Sequence, residues 1–215
     1  MKRISNLLLV LVLGLLLVSC LEQKSLPPTS GKLSPTGDGS LSGALDGEPV
    51  WAVGDTWQWS DGYGLEVTTI EEDNIARLSR TDVRQQWQKR QGLFIIESQS
   101  ASTHRQQMYR SLNPATHLFP LVIGKTVVFQ REYMANDELR VHRTSWTVEG
   151  REKIEVPAGV FDAWVLVRRT RGLQSGWTGY EKWWYCSQVK HYVRLEYRYG
   201  DAPAASRVLL SYQVH

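Results

Sequence analysis

The sequence predicts an all-β domain, an antiparallel and strongly curved sheet arranged as an open half-barrel or a sandwich of about 10–12 strands. Three observations predict it. From Val50 onward apolar residues alternate with polar ones at period two, most clearly in Val193, Leu195, Tyr197 and Tyr199 against Arg194, Glu196 and Arg198. Turn-forming residues punctuate the alternation at Asp61-Gly62, Glu72-Asp73-Asn74, Gln91-Gly92, Asn136-Asp137, Gly150 and Gly200-Asp201. No stretch after residue 49 carries a helical period.

Strand-like runs fall in order at 55–60, 64–71, 75–81, 85–90, 92–98, 104–110, 125–133, 138–149, 151–156, 160–171, 177–186 and 193–199. The last segment adds Val208, Leu210, Tyr212 and Val214 as an apolar face, with Leu209 as its exception. Val53-Gly54-Asp55-Thr56-Trp57-Gln58-Trp59 is echoed by Ile123-Gly124-Lys125-Thr126-Val127-Val128-Phe129. Each glycine lets the chain turn before a strand, so the domain reads as two related meanders or as two unrelated uses of one common turn.

Residues 1–19 have the order of an export signal: Lys2 and Arg3, an apolar run from Leu7 to Val18, then Ser19. The run is too short for a permanent span, which takes about 20 apolar residues. Leu17-Val18-Ser19-Cys20 resembles the lipobox of bacterial lipoproteins. That resemblance implies acylation of Cys20, cleavage before it and attachment to a membrane of the cell envelope. Two or three acyl chains suffice for a stable anchor. A plain secreted protein is the alternative. Leu21 follows the cysteine where an Asp would resemble an inner-membrane retention signal, which favours the outer membrane, facing the periplasm.

Residues 20–48 are rich in Ser, Pro, Gly and Thr and, between Leu21 and Glu48, contain no aromatic residue. They read as a lipidated cysteine followed by a flexible spacer, which leaves 49–215 as the β domain. Loss of Lys2 and Arg3 with the signal leaves 23 basic against 22 acidic residues, a balance that gives no electrostatic case for nucleic acid. Cys186 is then the one cysteine beyond the anchor and reads as a small buried hydrophobe.

The five histidines, at 104, 117, 142, 191 and 215, show no metal-ligand spacing, and neither a nucleophile elbow nor a glycine-rich phosphate loop occurs. No catalytic residue, metal or cofactor is expected. All nine tryptophans lie at or after Trp51. Trp57 and Trp59 share a face; Trp183, Trp184 and Tyr185 alternate faces along one strand; Trp146 lies on another. These six rings either fill the core or line a concave sheet that receives a lipid, a glycan or a peptide.

Val156-Pro157-Ala158-Gly159-Val160-Phe161, with Phe119-Pro120-Leu121, Gly124-Lys125-Thr126, Trp184-Tyr185 and Leu209-Leu210-Ser211-Tyr212, resembles uncharacterised bacterial envelope β-domains. The sequence departs from them at Cys186-Ser187, where they usually carry Ala-Pro. The resemblance implies fold and compartment, with no activity attached. The leading expectation is a non-catalytic envelope lipoprotein that binds an amphipathic ligand. The rivals are a subunit that docks on another envelope protein and a hydrolase of cell wall or lipid.

Overall fold

The computed structural model describes residues 47–215 apart from 102, 111 and 136. The segment 1–19 expected to be an export signal, Cys20 and the expected spacer as far as residue 46 lie outside the described residues. Twelve strands follow in order: β1 (Thr56–Trp59), β2 (Gly64–Ile70), β3 (Ile75–Arg80), β4 (Trp87–Gln91), β5 (Phe94–Gln99), β6 (His104–Arg110), β7 (Thr126–Ala135), β8 (Glu138–Val156), β9 (Gly159–Gly172), β10 (Thr178–Cys186), β11 (His191–Tyr199) and β12 (Ala205–Gln213). A 3-10 turn spans Glu72–Asn74, and α1 spans Pro114–Leu118.

Every strand pairs antiparallel with its neighbours in sequence, and β1 pairs with β12, so the sheet closes into an up-and-down barrel. The sequence pattern leaves an open half-barrel or a sandwich as the alternatives; closure comes from the last strand. Residues 205–208 of β12 pair with β11, whereas residues 209–213 pair with β1. Closure removes the exposed edges that an open sheet would carry.

The echo between Gly54 and Gly124 has a structural counterpart. Both glycines adopt positive φ, at 89° and 85°. Gly54 N donates to Val67 O and Val67 N to Asp55 O; Gly124 N donates to Val148 O and Val148 N to Lys125 O. The barrel also divides evenly about this echo. β6, like β12, splits its pairing, giving residues 104–106 to β5 and 107–110 to β7. Two six-strand meanders thus share the same first turn and the same divided last strand.

Three details differ from the alternation read off the sequence. Gly150 is not a turn: β8 runs through it, and the register against β9 shifts between Val148 and Gly150, a bulge that uses glycine without ending the strand. In β12 the buried residue is Leu209, while Leu210 is exposed. The register passes from Gln58–Ser211 to Trp59–Leu209, so one extra β12 residue reverses the face. Finally, α1 interrupts the all-β pattern. Asn113 caps it by accepting from Ala115 N, and Pro114 starts it, where its missing N–H costs nothing.

The interior is graded along the barrel. On β7 the inward positions run Val127, Phe129, Arg131; on β8, Val148, Trp146, Thr144, His142; on β9, Leu166, Arg168, Thr170; on β10, Tyr185, Trp183, Glu181. Their registers align these series, so one half of the barrel is apolar and the other polar. Trp51, Trp57, Trp59, Trp183 and Tyr192 surround His191 in the apolar half. The outer face of β8–β11 exposes Arg143, Glu149, Arg169, Arg171 and Arg198, whereas a barrel that spans a membrane presents an apolar band.

A buried carboxylate ties the ends of the domain together. Asp55 accepts from Ala52 N, Lys190 Nζ and His215 N at 2.8–2.9 Å, which holds the first turn, the β10–β11 turn and the last residue on one side chain.

Candidate functional site

An eight-stranded barrel is filled by ordinary side chains, and interior space grows with strand number. Twelve strands leave room that even this chain's tryptophans do not fill. A cavity of about 270 Å³ lies in the interior, with Leu93, Phe94, Phe129, Trp146, Trp183 and Leu195 among its lining residues. Tyr63, Tyr109, Tyr192, Tyr197 and Tyr199 add hydroxyl-bearing rings. Tyr199 is 40 % exposed, while its hydroxyl reaches inward to Glu181. Trp177 stacks between His142 and Tyr199.

Four arginines line this space, Arg90, Arg131, Arg168 and Arg207, against one carboxylate, Glu181. Glu181 is fully engaged. Its carboxylate accepts from Arg168 Nη1 at 2.6 Å, from Trp183 Nε1 at 2.8 Å and from the Tyr199 hydroxyl. Burial alone would push its proton affinity up, but Arg168 and the donated hydrogen bonds outweigh burial and hold it below the ordinary carboxylate range. Arg207 pairs with Asp61 at 2.9 Å.

Arg90 and Arg131 are held differently, by neutral groups. With its amide turned to suit its neighbours, Gln88 accepts from Arg90 Nε and Nη2, both at 3.2 Å, while Arg90 Nη1 has no partner. Arg131 Nη1 donates to Gln107 Oε1 at 2.8 Å and Nη2 approaches His142 Nδ1, while its Nε has no partner. Burial, and then repulsion from Arg168, bring the Arg131 guanidinium down to about 10. Burial, and then Arg131, hold His142 at about 4, so its imidazole is neutral and its Nδ1 free to accept.

Of the six rings singled out from the sequence, Trp146 and Trp183 line the cavity and meet edge to face at 5.1 Å. Trp57 and Trp59, 2 % and 0 % exposed, belong to the apolar half. Their indole N–H groups are spent on Val189 O and Tyr192 O. Tyr185 lies deeper than the cavity on the same strand face as Trp183. Trp184 points to the opposite face, flanked by Lys182 and Arg194, with its N–H given to Glu152. Cys186 is buried, and burial raises its thiol.

The sequence does carry a signal for the charged lining. Glu181 stands two residues from Trp183, and Arg168 two from Leu166, so strand parity alone directs both charges inward. Among the described residues no three His, Cys, Asp or Glu side chains group as metal ligands.

A closed up-and-down barrel with a cationic, ring-lined cavity in its interior is the class of protein that this geometry defines. No family model matches the chain, and no curated protein does. Solved structures do. The hypothetical lipoprotein YmcC from Escherichia coli superposes with a TM-score of 0.51 at 8 % identity, over 73 % of this chain and 83 % of that one, and so shows a shared fold. A candidate lipoprotein from Parabacteroides distasonis gives a TM-score of 0.40 at 15 % identity, over 78 % of this chain and 100 % of its own. A candidate exported protein with a YmcC-like fold from Bacteroides fragilis gives 0.46 at 13 % identity, over 78 % and 99 %.

Proposed function

We propose that this chain is a lipid-anchored, non-catalytic protein of the bacterial envelope whose barrel holds an amphipathic ligand in its interior cavity. The observation that carries the ligand reading is the cavity's mixed lining. Phe129, Trp146, Trp183 and Leu195 offer apolar contact, and guanidinium groups on the same wall offer positive charge. A volume near 270 Å³ suits a small molecule, or one end of a longer lipid, glycan or peptide.

The non-catalytic part rests on Glu181. As the one carboxylate on the cavity wall, it is the natural general base there, and three donors already occupy it. The anchor rests on Leu17-Val18-Ser19-Cys20 and agrees with the description of the Escherichia coli structure that shares the fold as a lipoprotein. Leu21 after the cysteine favours the outer membrane. The rival reading is a subunit that docks through an exposed strand edge or an aromatic patch; pairing of β1 with β12 takes away the edge there and leaves the patch.

Native mass spectrometry of the full chain, extracted gently from the membranes of an expressing bacterium, tests the ligand reading. A stoichiometric small-molecule adduct supports it. A bare chain that takes up no envelope lipid, glycan or peptide rejects it.

A further inference from the structure

Two of the four cavity arginines have no carboxylate partner. Arg168 is paired with Glu181 and Arg207 with Asp61, but among the described residues neither Arg90 nor Arg131 forms an ion pair. Arg90 is the sharper case. It is 4 % exposed, it lines the cavity, and its Nη1 has no hydrogen-bond partner. Its nearest compensating ring, Trp183, lies 5.9 Å from the guanidinium carbon, at the outer limit of a useful cation–π contact. A guanidinium removed from water without a counter-charge is costly, and a fold gains by replacing it with an apolar side chain unless the charge serves a ligand.

We infer that the ligand of this cavity is a small amphipathic anion, a phosphate, sulfate or carboxylate borne on an apolar body, with Arg90 and Arg131 as the groups that hold the anion. The inference rests on the cavity reading above and adds the ligand's charge. Planar guanidinium groups match oxyanions of this kind through paired hydrogen bonds. Both guanidinium groups line the cavity, and each is left one hydrogen bond short, at Arg90 Nη1 and at Arg131 Nε. The apolar body lies against Trp146, Trp183, Phe129 and Leu195. Glu181 is bonded to Arg168 and reaches Arg90 and Arg131 only as a through-space charge, so one carboxylate faces three arginines.

Isothermal titration calorimetry of the full chain in detergent, each titration corrected by a detergent blank, separates the alternatives with three probes: 1-naphthyl phosphate, 1-naphthol and inorganic phosphate. The expected result is that 1-naphthyl phosphate binds at least tenfold more tightly than either of the others. Arg90→Met and Arg131→Gln should each remove most of that preference while still unfolding cooperatively. The second variant keeps the test open if the first fails to fold. Equal binding of 1-naphthol and 1-naphthyl phosphate, unchanged in both variants, overturns the anion and leaves the cavity reading standing. Equal binding of inorganic phosphate overturns the amphipathic body in favour of a free-oxyanion site. No binding of any probe overturns both the inference and the cavity reading.

Discussion

Replacing Arg90 by Met should make the protein more stable while it loses its anion. The guanidinium is buried, no carboxylate faces it as an ion pair, and one of its N–H groups is unsatisfied. Leaving one buried donor without a partner costs about 1–3 kcal/mol, and Met fills a similar volume without a charge. Against that gain stand the two hydrogen bonds to Gln88, whose buried amide oxygen loses both donors and gives back about 1–3 kcal/mol. Those two terms cancel, and relief of the desolvation cost of the buried charge leaves a stabilisation of about 1 kcal/mol, a rise in Tm of about 2–4 °C for a domain of this size. Calorimetric melting of wild type and Arg90→Met, without added ligand, reads it directly. A fall of several degrees would refute the reasoning, because it would mean that the guanidinium is a satisfied structural group and not one held ready for a ligand.

Asp55→Ala should be the opposite kind of change: it strips the counter-charge from Lys190 and releases His215, costing about 3–5 kcal/mol, which a denaturant melt reports as a lower midpoint at unchanged slope. Acid should destabilise the fold from about pH 6.5 downward, through its buried histidines. His142 is held at about 4 and His191 well below 6.5, each by burial first and by neighbouring arginines second. The unfolded chain takes up those protons below about pH 6.5 and the folded chain does not, so stability is full above that pH and is lost as pH falls toward about 4. Tm measured across this window should decline, and less steeply in His142→Gln; a flat profile in the wild type would contradict it. Cys20→Ser should move the protein from the membrane to the soluble envelope fraction and abolish incorporation of labelled palmitate, whereas unchanged fractionation would remove the lipid anchor from the account.

Much of the strand pattern was legible because a half-buried strand writes its two faces into the sequence. β6 matches its sequence-predicted run residue for residue, and β2, β3 and β9 differ by a residue at one or both ends. Bulges were not legible. Nothing local to Gly150 distinguishes a turn from a register shift, and the extra residue in β12 that brings Leu209 inward is visible only against β1. Closure was hidden for the same reason: alternation tells which way a side chain points, not which strand lies beside it, and the β1–β12 pair joins residues at opposite ends of the domain. α1, at five residues, is too short to show a helical period.

The site was half legible. Trp146 and Trp183 were chosen for their size and do line the cavity, but size does not separate them from Trp57 and Trp59, which fill the other half of the same interior. Net charge does not reveal the arginines, because a chain close to neutral overall can still concentrate positive charge inside. Parity was the missing step, since Arg168 and Glu181 sit at strand positions that otherwise carry Leu166 and Trp183.

The most direct test of the cavity as the ligand site is the side-chain amide NMR spectrum of the full chain, with its nine tryptophan indole N–H signals assigned, recorded while 1-naphthyl phosphate is added. The account predicts that the Trp146 and Trp183 signals move together in one saturable transition, while those of Trp57 and Trp59 stay in place. Saturable shifts confined to Trp164 or Trp184, with Trp146 and Trp183 unmoved, would place binding away from the cavity and contradict it.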